Sequence, residues 1–361
     1  MQNKKLRALG VVLPQFHPIP ENDEWWGKGF TEWTNVAKAK PRFKGHYQPH
    51  IPADLGFYDL RLEEARIAQA ELAKKYGIYG FCYYHYWFHG KQLLERPVNE
   101  IVASGKPDFP FCLCWANEPW SRNWDGHNKA VLQPQEYSKD DHLNHIRHLL
   151  EIFKDKRYIK IDGRPFFIVY RQAQIPNVKD MIDSWNIEAK KCGFEKGLYI
   201  LSTTAFGFKE DPTLLGFDAS WDFWVHLAIA KTSFSSRIIK KIKKTFGVLK
   251  DNLQLYSDVV DNALQNCQNK KQWKVYPCVY PGWDNSPRRK IDAHILYGST
   301  PELYEKWLAN TCEIFEPFSE EENFVFLNAM NEWAEGNHLE PDLKWDLKYL
   351  EATKRVLERY V

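Results

Sequence analysis

Phe324-Val-Phe-Leu-Asn-Ala-Met-Asn-Glu-Trp-Ala-Glu-Gly336 is the stretch that decides the fold. Its first four residues form a continuous apolar run, as a strand buried on both faces does. Beyond Leu327 the run turns polar, bringing Asn328, Asn331, Glu332, Glu335, Asn337 and His338. A parallel strand that delivers a site has this shape, and in a β/α barrel the functional groups sit at the carboxyl ends of the strands. Glu332 and Glu335 are three residues apart, so one helical turn puts them on the same face. Two close carboxylates can divide labour: one stays ionised, while the other's pKa rises until it can give up a proton near neutral pH. The competing reading is a solvated acidic helix start favoured by the helix dipole. Trp333 and the asparagines make a poor solvated face.

Working outward, similar apolar runs recur at 8–13, 79–84, 109–115, 165–170, 198–204, 217–223 and 274–280. Helical patterns at 60–76, 92–104, 139–153, 178–191, 251–268, 301–315 and 343–360 fall between or after them. Gly77 and Gly193 close two of these helices, and Thr300 with Pro301 opens another. Strands that alternate with helices must pair in parallel through crossovers. Eight such units in 361 residues predict a single domain over 1–361: an α/β fold, a (β/α)8 TIM barrel with long strand–helix loops at the carboxyl rim. No linker, low-complexity segment or short repeat divides the chain. The loop at 19–54 carries Trp25, Trp26, Phe30 and Trp33. It reads as an excursion whose tryptophans form its own small core.

Composition narrows the function. Hydrophobic residues make up 44%, enough for a large core, and much of the excess in the 15% aromatic content falls just after the strands, where sugar-binding proteins place stacking surfaces. A formal net charge of +2 gives no case for nucleic-acid binding. The seven cysteines are an odd number, and Cys82, Cys112, Cys114 and Cys278 sit in apolar strand-like runs. They read as small core residues in a reducing compartment. The C-x-C of Cys112 and Cys114 alternates across a strand and is a weak metal signal, so no metal and no cofactor are expected. Lys4, Lys5 and Arg7 precede an apolar run too short for a signal peptide, and no transmembrane stretch follows. A cytoplasmic location is expected. The oligomeric state is not readable.

On a barrel, the strand ends converge on one rim. They bring together Gln15 and His17, Tyr84 and His85, Trp115, Asn117 and Glu118, Tyr170 and Arg171, Asp222, Trp283 and Asp284, then Asn331, Glu332, Trp333 and Glu335. This is a polar and aromatic bowl of the kind a neutral sugar needs. Tyr84, Trp115 and Tyr170 could equally fill the barrel, and His17 and His85 could hold carboxylates from behind. His142, His145 and His148 are spaced three apart and drift off one helix face, which reads as a solvated helix side. No G-x-x-x-x-G-K-S/T, G-x-G-x-x-G or G-x-S-x-G motif supports a nucleotide site or serine hydrolysis.

Leu13-Pro-Gln-Phe-His17, Trp25-Trp-Gly-Lys-Gly-Phe-Thr-Glu-Trp33 and Asn331-Glu-Trp-Ala-Glu-Gly336 resemble the WbsX-type proteins of bacterial polysaccharide loci. These are similar to glycoside hydrolase family 99, the endo-α-mannosidases and endomannanases. The resemblance spans nearly the whole chain and implies a (β/α)8 barrel. It also implies that Glu332 acts on the sugar's own 2-hydroxyl, through an anhydro sugar, and that Glu335 is the general acid and then base, with net retention. Asn117-Glu118-Pro119 resembles the Asn-Glu-Pro of other barrel glycosidases, where the Glu is the acid/base after strand four; here it follows strand three.

The leading reading is therefore a retaining glycosidase, endo-acting in the manner of that family, on a mannose-like or related residue of a bacterial polysaccharide. The alternative is a glycosyltransferase of O-antigen or capsule assembly, although no D-x-D motif or phosphate-cradling loop is present. A sugar-binding barrel without activity is a third reading, opposed by the intact glutamate pair. Residues 231–249 are basic, and 237–249 puts Ile238, Ile239, Ile242 and Phe246 on one helical face with Lys240, Lys241, Lys243 and Lys244 largely opposite. Such a helix either packs on the barrel or makes weak contact with an anionic membrane at the inner-membrane surface.

Overall fold

The computed structural model describes residues 4–122, 130–205, 208, 210–223, 251–266 and 271–360. Residues 231–249, and with them the expected basic helix, lie outside the described residues.

Seven of the eight expected runs form uninterrupted strands: β1 (Arg7–Val12), β2 (Ile78–Phe88), β3 (Phe111–Trp115), β4 (Arg164–Val169), β5 (Tyr199–Thr203), β6 (Ala219–Trp221) and β8 (Phe324–Leu327). The other, β7, is in two pieces, Val275–Tyr276 and Cys278–Val279, on either side of Pro277. Proline has no N–H for a ladder. The first piece pairs with β6 and the second with β8, while β8 pairs with β1. The nine parallel segments therefore run around a nearly closed cylinder, as a (β/α)8 TIM barrel requires.

The interior is filled by rings from strands that are not neighbours. Phe166 of β4 meets Phe324 of β8 at 5.2 Å between centroids, and Trp221 of β6 stacks on Phe326 of β8 at 4.8 Å. Burying each such ring contributes about 1.5–3 kcal/mol. Gly10 on β1 is glycine for want of room, since a Cβ there would lie 2.6 Å from Met330 Cγ.

Helices α1 (Pro20–Trp26) and α2 (Glu32–Lys38) lie in the long loop after β1. The main helices are α3 (Glu63–Lys75), α4 (Arg96–Ser104), α5 (Lys139–Phe153), α6 (Val178–Lys191), α7 (Tyr256–Asn266), α8 (Pro301–Ile314) and α9 (Lys348–Leu357). Thr300 caps α8 by accepting from Leu303 N, and Ser138 caps α5 by accepting from Asp141 N.

Three expectations are corrected. β2 runs on to Phe88, because Tyr86–Phe88 pairs with the short strand Lys91–Leu93, and α4 consequently starts at Arg96. Asn252–Leu255 is a strand paired with His294–Tyr297 and not the start of α7. The histidines of α5 are not a solvated side: His142 and His145 are buried and His148 is half-buried. They face the outer side of β2 and β3, where His145 Nε2 lies 2.9 Å from His85 Nε2. Trp87 Nε1 donates to Asp141 of the same helix at 3.0 Å.

Candidate active site

The chain leaves β8 and is captured at once by β1. Met330 N donates to Val11 O at 2.8 Å. The Asn331 amide then imitates a ladder, accepting from Leu13 N at 2.7 Å and donating to Leu13 O at 3.0 Å. Asn331–Glu332 next pairs antiparallel with Asn337–His338. Between them lies one 3-10 turn, Trp333–Glu335, closed by Gly336 in the left-handed region at φ 55°. Side chains three apart in a 3-10 turn eclipse one another, so Glu332 and Glu335 emerge on the same side. Trp333 secures the turn from behind. Its Nε1 donates to Glu340 at 2.8 Å, and its ring stacks on His338 at 3.7 Å. Glu340 also accepts from Tyr58 and Gln69, at 2.8 and 2.6 Å, and burial pushes its pKa up to about 7.

Both glutamates grip one guanidinium. Arg288, from the loop after β7, donates through Nη1 to Glu335 at 2.5 Å and through Nη2 to Glu332 at 3.1 Å. Its Nε donates to Glu32, the first residue of α2, at 2.8 Å. Three carboxylates thus surround one positive charge, with Glu32 fully buried and Arg288 only 16% exposed. One guanidinium cannot neutralise three carboxylates away from water, so a proton is held in the cluster. Burial, then the charges of Glu335 and Glu32, push Glu332 up to about 8 against the pull of Arg288. Burial also raises Glu335, with Glu32 adding to the shift and Arg288 opposing it. Burial alone would lower Arg288, but Glu32, Glu335 and Glu332 outweigh it and hold its proton firmly.

A cavity of about 400 Å³ opens above this cluster. Its walls are aromatic: Trp25 and Trp26 from α1, Tyr84 and Tyr86 from β2, then Trp120, Tyr170 and Trp283. Gln15, Asn22, Glu118, Ser121, Asn285 and Arg289 supply polar edges. Glu118 is paired with Arg171, and burial raises its pKa against that pull. The arrangement offers a general acid, a carboxylate base and stacking faces in one bowl.

Of the rim residues expected from sequence, Gln15, Tyr84, Glu118, Tyr170, Trp283, Glu332 and Glu335 line this cavity. The others do not. His85 and Trp115 belong to strands whose alternation turns them outward: His85 meets His145, and Trp115 packs on His145 and Trp185. His17 holds the carbonyl of Pro14 at 3.0 Å. Asn117 clamps the start of the β4 loop, donating to Arg171 O and accepting from Arg171 N. Arg171 spends its guanidinium on Glu118. Asp222 accepts from Thr204 at 2.7 Å. Asp284 faces a second cavity, accepting from Gln48 at 2.6 Å and meeting His46 Nε2 at 2.7 Å. Asn331 and Trp333 support the turn, as described above.

The tryptophans of the long loop divide as well. Trp33 is buried against Phe16, Tyr58 and Trp333, whereas Trp25 and Trp26 line the cavity. Sequence reasoning missed Arg288 and Glu32. Arg288 sits in a loop and Glu32 opens the short helix α2, and their partnership spans 256 positions. The one available signal was an ionisable residue, Glu32, lying inside the aromatic motif 25–33.

The family described as glycosyltransferase WbsX matches residues 8–353. Proteins described as uncharacterized protein WxcX, from two strains of Xanthomonas campestris pv. campestris, are 40% identical over 352 and 353 residues. Those alignments cover 97% of this chain and 49% of each relative, so the chain spans about half the length of the curated relatives it matches. Among solved structures, the family 99 endo-alpha-mannosidase from Bacteroides thetaiotaomicron aligns with TM-score 0.57 at 15% identity, over 98% of this chain and 97% of that one. A family 5 glycoside hydrolase from Streptomyces cattleya, in complex with GlcNAc, aligns with TM-score 0.51 at 9% identity, over 99% and 81%. The fold is thus glycoside-hydrolase-like.

Proposed function

The chain belongs to the WbsX family, and from that premise we propose that it is a retaining glycoside hydrolase acting within a bacterial surface polysaccharide or a related oligosaccharide. One observation carries the reading: Glu332 and Glu335 share Arg288 at the floor of an aromatic bowl. Residues 1–361 act as one barrel domain in this proposal, and a mannose-like sugar is the substrate class.

In the proposed cycle, the Glu332 carboxylate takes the proton of the sugar's 2-hydroxyl as O2 closes on C1. The C1–oxygen bond to the leaving group breaks, and that oxygen takes the proton of Glu335. Glu335 then removes a proton from water, whose oxygen attacks C1. The C1–O2 bond breaks, and O2 recovers its proton from Glu332. Two inversions at C1 give retention. The two carboxyls titrate as a unit, so the cycle needs their shared proton on Glu335 when the glycosidic oxygen arrives. Arg288 contacts both carboxyls and stabilises whichever is ionised, so the shared proton can pass from Glu332 to Glu335 without leaving a bare charge.

The description of the family as a glycosyltransferase favours a second reading, transfer in polysaccharide assembly. Among the described residues of the cavity, Glu118 and the one ionised carboxylate of the Glu332/Glu335 pair balance Arg288 and Arg289, which leaves no surplus positive charge for a sugar diphosphate. The test is incubation with a panel of bacterial surface polysaccharides, reading new reducing ends and the anomer first released. Retained-configuration fragments support the hydrolase. Consumption of a nucleotide sugar without hydrolysis of any polymer overturns it in favour of transfer.

A further inference from the structure

Trp283 separates the catalytic bowl from a second cavity of about 270 Å³. Three potential ligand groups meet there: His50, His338 and Asp342, whose donor atoms all lie within 4.8 Å of one another. His50 Nδ1 is 2.8 Å from His338 Nε2, and that nitrogen is 3.8 Å from Asp342 Oδ2.

The protonation states follow from the partners. His338 Nδ1 faces the carbonyl of Glu340 at 2.8 Å, which can only accept, so Nδ1 carries the hydrogen and Nε2 a lone pair. Metal-binding histidines are typically anchored through the other ring nitrogen in this way. Asp342 is anchored too: Oδ1 accepts from Lys344 N at 2.9 Å and Trp345 N at 2.6 Å. Only a proton from His50 now fills the space between the two imidazoles. A tetrahedral zinc ion with bonds of ~2.0–2.2 Å sets its ligand atoms about 3.3–3.6 Å apart. The 2.8 and 3.8 Å separations bracket that spacing. Charge is compatible: Asp284 and Lys344 act on His50 with opposite signs, and Asp342 adds a negative charge beside His338. The Lys344 ammonium is drawn over the Tyr47 and Trp345 rings, at 4.6 and 4.7 Å.

We propose that His50, His338 and Asp342 bind a divalent transition-metal ion, zinc by the chemistry of the donors, with a fourth position open to the second cavity. The ion takes no part in bond cleavage. It joins the loop around His50 to the return strand of the catalytic turn, where His338 stacks on Trp333. The site is structural support for the glutamate pair.

The test uses the full chain without an affinity tag, carrying Cys192→Ser because the Cys192 thiol is exposed and could take zinc itself. Protein stripped with chelator is titrated with zinc sulfate by calorimetry, and its metal content is measured after dialysis. One zinc per chain is expected, with a rise of several °C in Tm. Asp342→Asn and His50→Ala each remove a direct ligand and should weaken binding by more than the ~10-fold lower bound for outer-shell changes, and abolish the Tm rise. No uptake at micromolar zinc overturns the site, and so does uptake that survives both substitutions. Anomalous diffraction from a zinc-soaked crystal decides independently of any variant's folding: a peak between His50 and His338 supports the proposal, and a peak elsewhere or none refutes it.

Discussion

The ends of β2 and β8 both bury titratable side chains beside the barrel wall, to opposite effect. β2 continues straight for eleven residues, so strict alternation sorts its side chains. Tyr84 and Tyr86 enter the bowl, while His85 and Trp87 are pressed against α5. β8 stops after four residues and folds into a 3-10 turn, which delivers both of its glutamates inward. Each end thus has a buried titratable cluster. The one at β8 keeps an extra proton, and the one at β2 is kept neutral, since burial and then the neighbouring His148 lower His85 to about 3. Burial drives both clusters towards neutrality: the carboxyls of the β8 end gain a proton and the imidazole of the β2 end loses one, while strand geometry decides which cluster faces the cavity.

The comparison breaks first on activity. Glu332→Gln and Glu335→Gln should each reduce kcat by about 10²–10⁴-fold, because each removes one half of the proton traffic. Circular dichroism should remain native. Near-native turnover in both variants would remove the β8 end from the chemistry.

Arg288→Met comes next. It leaves three buried carboxylates without their counter-charge, and stability should drop by ~3–5 kcal/mol in urea unfolding. Turnover should fall with it, and the activity optimum should move to higher pH as the glutamates hold protons more tightly. An unchanged optimum would show that Arg288 does not set their ionisation.

Stability against pH sharpens the contrast. Glu332 binds its proton more tightly folded than unfolded, so its contribution is complete below about 4.5 and lost as pH rises through about 8. His85 does the reverse: its neutral state costs stability as pH falls from 6.5 towards about 3. Relative to wild type, the Tm of Glu332→Gln should therefore climb from pH 5 to pH 8.5, and that of His85→Gln should climb from pH 7 to pH 4. Parallel curves for the two variants would erase the distinction.

The smallest effect is expected in kinetics at the β2 end. His85→Gln loses its contact with His145 and should cost about 0.5–1.5 kcal/mol of stability, with kcat/KM nearly unchanged. A large loss of activity would mean that the outer face of β2 reaches the bowl after all.

The same contrast explains what was legible. Apolar runs of strand length, separated by capped helices, disclosed the barrel, and the polar switch after Leu327 disclosed Glu332 and Glu335. Parity was not legible: in a strand buried on both faces, hydrophobicity does not say which side chain points inward. Trp115 was accordingly placed in the bowl, although it is wholly buried behind β3. Partnerships across the barrel were beyond reach for a different reason. Arg288 meets Glu32 over 256 positions, and His50 meets His338 over 288. Only folding creates those neighbours.

The break at Pro277 has a mechanical consequence. Two residue pairs join β7 to each neighbour, whereas five join β2 to β3. The wall from β6 to β8 therefore carries the fewest ladder bonds, and its cohesion falls to ring contacts, among them Trp221 on Phe326 and Tyr276 against Phe318 and Phe324. Contacts of that kind lose strength on cooling. With fewest ladder bonds to fall back on, this seam is the part of the cylinder expected to loosen first in the cold.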